Sequence, residues 1–152
     1  MEGWSQERPV WNALRSKIGP NKWHRAPFDS SKAFLVAEEP GIYAICARAP
    51  FGTGAKGPLG AYKPMYIGRA ARENGGLRAR FLEHTRHPKP SIRAMVRCFH
   101  DTVEFWYVKI ESKELIQELE ALCLEAFGPE CNDVRAPHQN VILATLGKSV
   151  PA

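Results

Sequence analysis

Six side chains, far apart in a chain of 152 residues, carry the functional groups that hydrolysis of a phosphodiester needs. Tyr43 and Tyr66 are phenols, Arg80 a guanidinium, His84 an imidazole, Glu120 a carboxylate and Asn132 an amide. A guanidinium clamps a phosphate through two parallel hydrogen bonds. A phenol, with a pKa of about 10, is a poor base at neutral pH unless a nearby positive charge favours the phenolate. Each group also has an ordinary reading. A lone tyrosine is more often a half-buried strand residue, Arg80 with His84 reads equally as an exposed arginine beside an incidental histidine, and Glu120 as a boundary carboxylate. Position in the fold decides between these readings.

Gly41 to Ala47 reads as a strand behind the turn-prone Glu39-Pro40, and Met65 to Gly68 as a second, joined across the Gly/Pro/Lys-rich residues 50–64 as a long hairpin. Gly75-Gly76 then breaks the chain before a helix from Leu77 to about His87, with Leu77, Phe81 and Thr85 inward and Arg80 and His84 one turn apart on the edge of that stripe. Pro88 and Pro90 end it, and a short helix follows from Ser91 to Cys98. Thr102 to Ile110 (TVEFWYVKI) is rich in strand-forming residues. Ser112 caps a helix running to Phe127, and Gly128-Pro129 stops it. Leu115, Ile116, Leu119, Leu122, Cys123, Ala126 and Phe127 share its apolar face, and Glu120 sits at the edge of that face. Residues 1–37 form an arm with one helix, about Pro9 to Ile18; Trp4, Trp11 and Trp23 either pack it on the domain or stack on bases. The order β-β-α-α-β-α behind this arm predicts an α/β (α+β) fold: a small three-stranded, mostly antiparallel sheet flanked by helices. The expected division is an arm over 1–37, a domain over 38–147 and a tail over 148–152.

Gly41-Ile42-Tyr43, Tyr66-Ile67-Gly68, Arg80-x3-His84 and Glu120-x11-Asn132, in this order and on these elements, resemble the GIY-YIG nuclease family over about residues 38 to 140. Each tripeptide is weak alone; the combination is specific. The resemblance implies a metal-dependent DNA endonuclease leaving 5′-phosphate and 3′-hydroxyl ends. It implies that Tyr43 and Tyr66 face the site from adjacent strands, that Arg80 and His84 act from one helix, and that Asn132 braces the site. It also implies that Glu120 holds one Mg²⁺ or Mn²⁺ per active site, and a single carboxylate suits Mg²⁺. Tyr43 would then take a proton from the attacking water, relayed through His84, with the metal, Arg80 or a protonated His84 favouring its phenolate. Tyr66 would orient the reactants. Gly68 would let backbone approach closely. Arg69, Arg78, Arg93 and Lys56 are the expected phosphate contacts. Twenty-two residues separate the two tyrosines, about twice the usual family gap; the extra length resembles the insertions of GIY-YIG restriction endonucleases. This stretch is no Walker A motif, since no Gly-Lys-Ser/Thr closes it, and it reads as a DNA-contacting loop or a flexible surface loop.

Bulk properties agree with a nucleic-acid partner and exclude other classes. The formal charge is +5, and residues 69–97 hold eight Lys/Arg against two Asp/Glu, a footprint for phosphate or simply a solvated basic face. No apolar run approaches the ~18–20 residues of a membrane span, and the first residues lack a secretory pattern, so a cytoplasmic site is expected. Four cysteines without a CxxC pair suggest neither disulfides nor zinc. The expected partner is double-stranded DNA rather than single strands or RNA, with a homodimer for double-strand cutting. The length fits a stand-alone restriction- or phage-type nuclease. The rival readings are a non-catalytic nucleic-acid binder with the same fold and a toxin-type nuclease restrained by a partner.

Overall fold

A computed structural model of the chain describes residues 8–48 and 62–132. Lys56 lies outside them, as do Trp4 and His138. The elements run α1 (Arg8–Ile18), β1 (His24–Pro27), a 3-10 turn (Ser30–Leu35), β2 (Gly41–Arg48), β3 (Tyr62–Ala70), α2 (Gly76–Arg86), α3 (Pro90–Phe99), β4 (Val103–Lys109) and α4 (Lys113–Phe127). The four strands form one antiparallel sheet in the order β1-β4-β2-β3. The fold class is the expected one, with helices on both faces of the sheet.

The strand count differs from the expected three. The extra strand, His24–Pro27, lies within the segment read as an arm and pairs with β4, Ala26 opposite Phe105. Its four residues have no two-residue apolar period and end in proline, which confines such a strand to a sheet edge. Pairing with β4, not local propensity, makes it a strand. β3 is also longer than the expected Met65–Gly68, taking in Tyr62, Lys63 and Pro64 from the end of the presumed loop.

Both faces of the sheet are covered, so seven of the eight residues of β2 are buried. On one face Tyr43, Ile45 and Phe105 meet Leu77 and Phe81 of α2 and Ile92 of α3. On the other Ile42, Ala44, Ile67 and Val108 meet Leu14 of α1 and Ile116, Leu119 and Cys123 of α4. α4 begins where expected, with Ser112 Oγ accepting from the Leu115 N–H at 3.2 Å, and ends at Gly128 in the left-handed conformation (φ 52°). Gly41 lies so close to β4 that a Cβ would overlap the Val108 carbonyl. Among the described residues no helix is long and apolar enough to cross a membrane.

Candidate active site

Adjacent strands deliver the two phenols. β2 and β3 pair with Tyr43 opposite Gly68 and Ile45 opposite Tyr66, so both tyrosines fall on the α2 side of the sheet. Their ring centroids are 6.2 Å apart. Tyr43 is stacked on Phe105 at 5.0 Å. Gly68 is required by this arrangement: an added Cβ would fall on the Tyr43 hydroxyl and 2.5 Å from its Cζ. The close approach expected at Gly68 is therefore between backbone and phenol.

α2 brings the cations. Leu77 and Phe81, both fully buried, anchor it on the sheet. His84, expected on the edge of the buried stripe, is inside it at 3% exposure, while Thr85 is only half-buried. The helix is thus turned slightly from the expected orientation, and its imidazole reaches Tyr43: Nε2 lies 2.7 Å from the phenol oxygen. Arg80 gives Nη1 to Glu83 Oε2 at 2.7 Å, whereas its Nε is buried without a hydrogen-bond partner. A buried donor left without a partner is unusual, and the partly exposed guanidinium that carries it lines the cleft described below.

From the opposite side of β3, α4 contributes Glu120. Its side chain is 25% exposed, with Oε1 3.8 Å from Arg69 Nε. Beyond α4 the chain runs along the outer edge of β3. The Cys131 N–H donates to the Met65 carbonyl at 2.8 Å. The Asn132 amide then bonds both backbone groups of Ile67, accepting from its N–H at 2.8 Å and donating to its carbonyl at 2.7 Å. Asn132 thereby fixes the residue between Tyr66 and Gly68.

Tyr43, Tyr66, Arg80, His84, Glu120 and Asn132 all line one cleft of about 400 Å³, together with Gly68 and Arg69. Arg78 and Arg93 do not reach it. Arg78 donates through Nε to the Val36 carbonyl at 2.8 Å and pairs with Glu38. Arg93 extends from α3 toward the Pro88 carbonyl. The cleft includes a cation the sequence reading omitted, Lys89, whose Nζ is 3.4 Å from the Tyr66 hydroxyl and 5.4 Å from its ring centre. Lys89 sits between two prolines after α2, and no periodicity assigns such a position to a face. Glu83, which holds Arg80, was likewise unmarked.

Burial sets the protonation states. It pushes the Tyr43 phenol well above its usual range, with the Tyr66 phenol adding to the shift and Arg80 opposing it. It depresses His84 from 6.5 to about 4. The expectation of a protonated His84 favouring a Tyr43 phenolate is therefore corrected: at neutral pH the pair is a neutral phenol bonded to a neutral imidazole. The Glu120 carboxyl is raised by burial and only partly restored by Arg69.

The His84 shift predicts a stability effect with a definite sign. Below pH 6.5 the unfolded chain binds a proton at this position that the folded chain refuses until about pH 4. Stability is thus lost as pH falls through that window, by about 2–3 kcal/mol from this group. Urea midpoints at pH 7 and pH 4.5 should converge by that amount in His84→Gln relative to the parent; an unchanged pH dependence would contradict the neutral imidazole.

The donors suit a hard divalent cation. Glu120 offers a carboxylate to the cleft, whose other carboxylate, Glu83, is held by Arg80 at 2.7 Å, and one or two carboxylates with retained water are the usual Mg²⁺ arrangement. Among the described residues no three His, Cys, Asp or Glu side chains come together, so a metal held here would rest on Glu120. No protein-family model, curated protein or solved structure matches the chain.

Proposed function

We propose that this cleft hydrolyses phosphodiesters of double-stranded DNA, as a metal-dependent endonuclease of the GIY-YIG kind that the sequence resembles. The observation that carries the reading is the convergence of six residues, spread over positions 43 to 132, on one cleft, among them an arginine whose Nε has no partner. The Arg80 guanidinium donates to a non-bridging phosphate oxygen and stabilises the charge that develops there. Tyr43 takes a proton from the attacking water while passing its own to His84 Nε2. The approach of a phosphate raises the basicity of the imidazole in this dry site and so favours the transfer. Tyr66, with Lys89 on its hydroxyl, orients the reacting group. Glu120 holds a Mg²⁺ or Mn²⁺ ion. Such an ion, when bound, polarises the phosphate as a Lewis acid. The expected ends are 5′-phosphate and 3′-hydroxyl. One cleft cuts one strand, so cutting both strands at once calls for a homodimer on DNA, which sedimentation with and without DNA would reveal.

The test is conversion of supercoiled plasmid to nicked and linear forms with Mg²⁺ or Mn²⁺, abolished by a chelator. Tyr43→Phe keeps the ring between Phe105 and Tyr66 but removes the relay, and is expected to slow cutting by about 10²–10⁴-fold. No cutting with either ion, or full activity in Tyr43→Phe, overturns the reading; DNA retained but never cut would favour the non-catalytic binder.

A further inference from the structure

A second cleft adjoins the first. It holds about 360 Å³ between the chain leaving β3, residues 69–74, and the first turns of α4. Arg69 and Arg80 line both clefts, so the two are neighbours. Arg72 and Lys113 line the second cleft but not the first. Each is held by a carboxylate: Arg72 Nη2 is 2.6 Å from Glu111 Oε2, and Lys113 Nζ is 3.8 Å from Glu73 Oε1. All four of these side chains are 64% exposed or more. Ion pairs this exposed contribute little to stability and exchange readily.

Four cations and two carboxylates line this cleft, and Arg69 and Arg80 are in turn paired with Glu120 and Glu83 on the side of the first cleft. Lys113 opens α4, whose N-terminal end adds partial positive charge on the same side. A polyanion held at Arg80 and Arg69 would have this pair of cations in the neighbouring cleft. We propose that the second cleft seats the phosphate adjoining the one that is cut, with Arg72 and Lys113 released from Glu111 and Glu73 to hold it. The inference rests on the reading of the first cleft as a phosphodiesterase site. It makes Glu73 and Glu111 placeholders, occupying the cations until DNA displaces them, and Arg72 the main grip, since its planar fork matches phosphate.

The experiment measures binding of a labelled DNA duplex by fluorescence anisotropy over a range of salt without divalent ions, where cutting does not interfere. Each phosphate-contacting cation removed should lower the slope of log K against log salt by about one. Arg72→Ala with Lys113→Ala should therefore reduce the slope by about two, with thermal melting unchanged. Arg15→Ala, an exposed cation on α1 that lines neither cleft, should leave the slope alone. Glu73→Gln with Glu111→Gln should tighten binding several-fold at low salt. An unaltered slope in the Arg72/Lys113 variant, an equal effect from Arg15→Ala, or no salt-dependent binding at all overturns the inference. If the parent binds with the expected slopes but cuts no plasmid with Mg²⁺, the proposed activity fails while the second cleft stands as a phosphate site.

Discussion

Gly68→Ala is expected to abolish plasmid cutting, by about 10³-fold or more, and to lower stability by several kcal/mol. The cause is steric and local. The new methyl would overlap the Tyr43 hydroxyl and stand 2.5 Å from Cζ. Tyr43 cannot retreat: its ring is 2% exposed, stacked on Phe105, and its oxygen is tied to His84 at 2.7 Å. Overpacking of a filled core costs about 1–3 kcal/mol, and separating Tyr43 from a buried imidazole leaves a polar atom unsatisfied at about 1–3 kcal/mol more. A misplaced proton relay then forfeits catalysis even in molecules that fold. Urea denaturation with plasmid cutting at matched folded fractions separates the two effects. A Gly68→Ala protein with parental stability and activity would show that phenol and strand do not meet as described.

Glu120→Gln is expected to dissociate activity from stability. The substitution keeps shape and removes the charge proposed to hold the metal, so cutting should fall by about 10³-fold or more, with Mn²⁺ affinity lost in calorimetric titration. Stability should move the other way. The carboxyl is raised above 4.5 by burial, so the folded chain holds its proton more tightly than the unfolded chain. Ionisation of Glu120 therefore weakens the fold as pH rises through that range, and the cost persists at neutral pH. The variant should melt at or above the parental temperature at pH 7.5, and that advantage should shrink toward pH 4. This is the pattern of a residue kept for function at the expense of the fold. Parental cutting by Glu120→Gln would remove the carboxylate from the chemistry.

Much of this arrangement was legible in the chain. Ser112 and Gly128 bracket α4 because caps act through local hydrogen bonds and backbone conformation. The helical wheel put Glu120 at the edge of the apolar face, where it is a quarter exposed. The strands bearing Tyr43 and Tyr66 announced themselves by their apolar residues and flanking glycines. The failures share a cause, dependence on partners distant in sequence. β1 exists because β4 offers it hydrogen bonds. The protonation of His84 depends on how deeply α2 rolls onto the sheet, and a small rotation exchanged it for Thr85 in the interior. Lys89 reaches Tyr66 through the turn after α2, whose path no spacing rule describes.

The outer margin of β3 has a bearing on assembly. With Cys131 and the Asn132 amide already bonded to Met65 and Ile67, a neighbouring molecule cannot dock its own strand alongside these residues. The opposite margin, His24–Pro27, is only four residues long and ends in an imino acid, a poor template for lateral growth of the sheet. The dimer proposed on DNA would therefore not form by pairing strands at these two stretches, and both are guarded against the runaway edge-to-edge stacking that precedes fibrils.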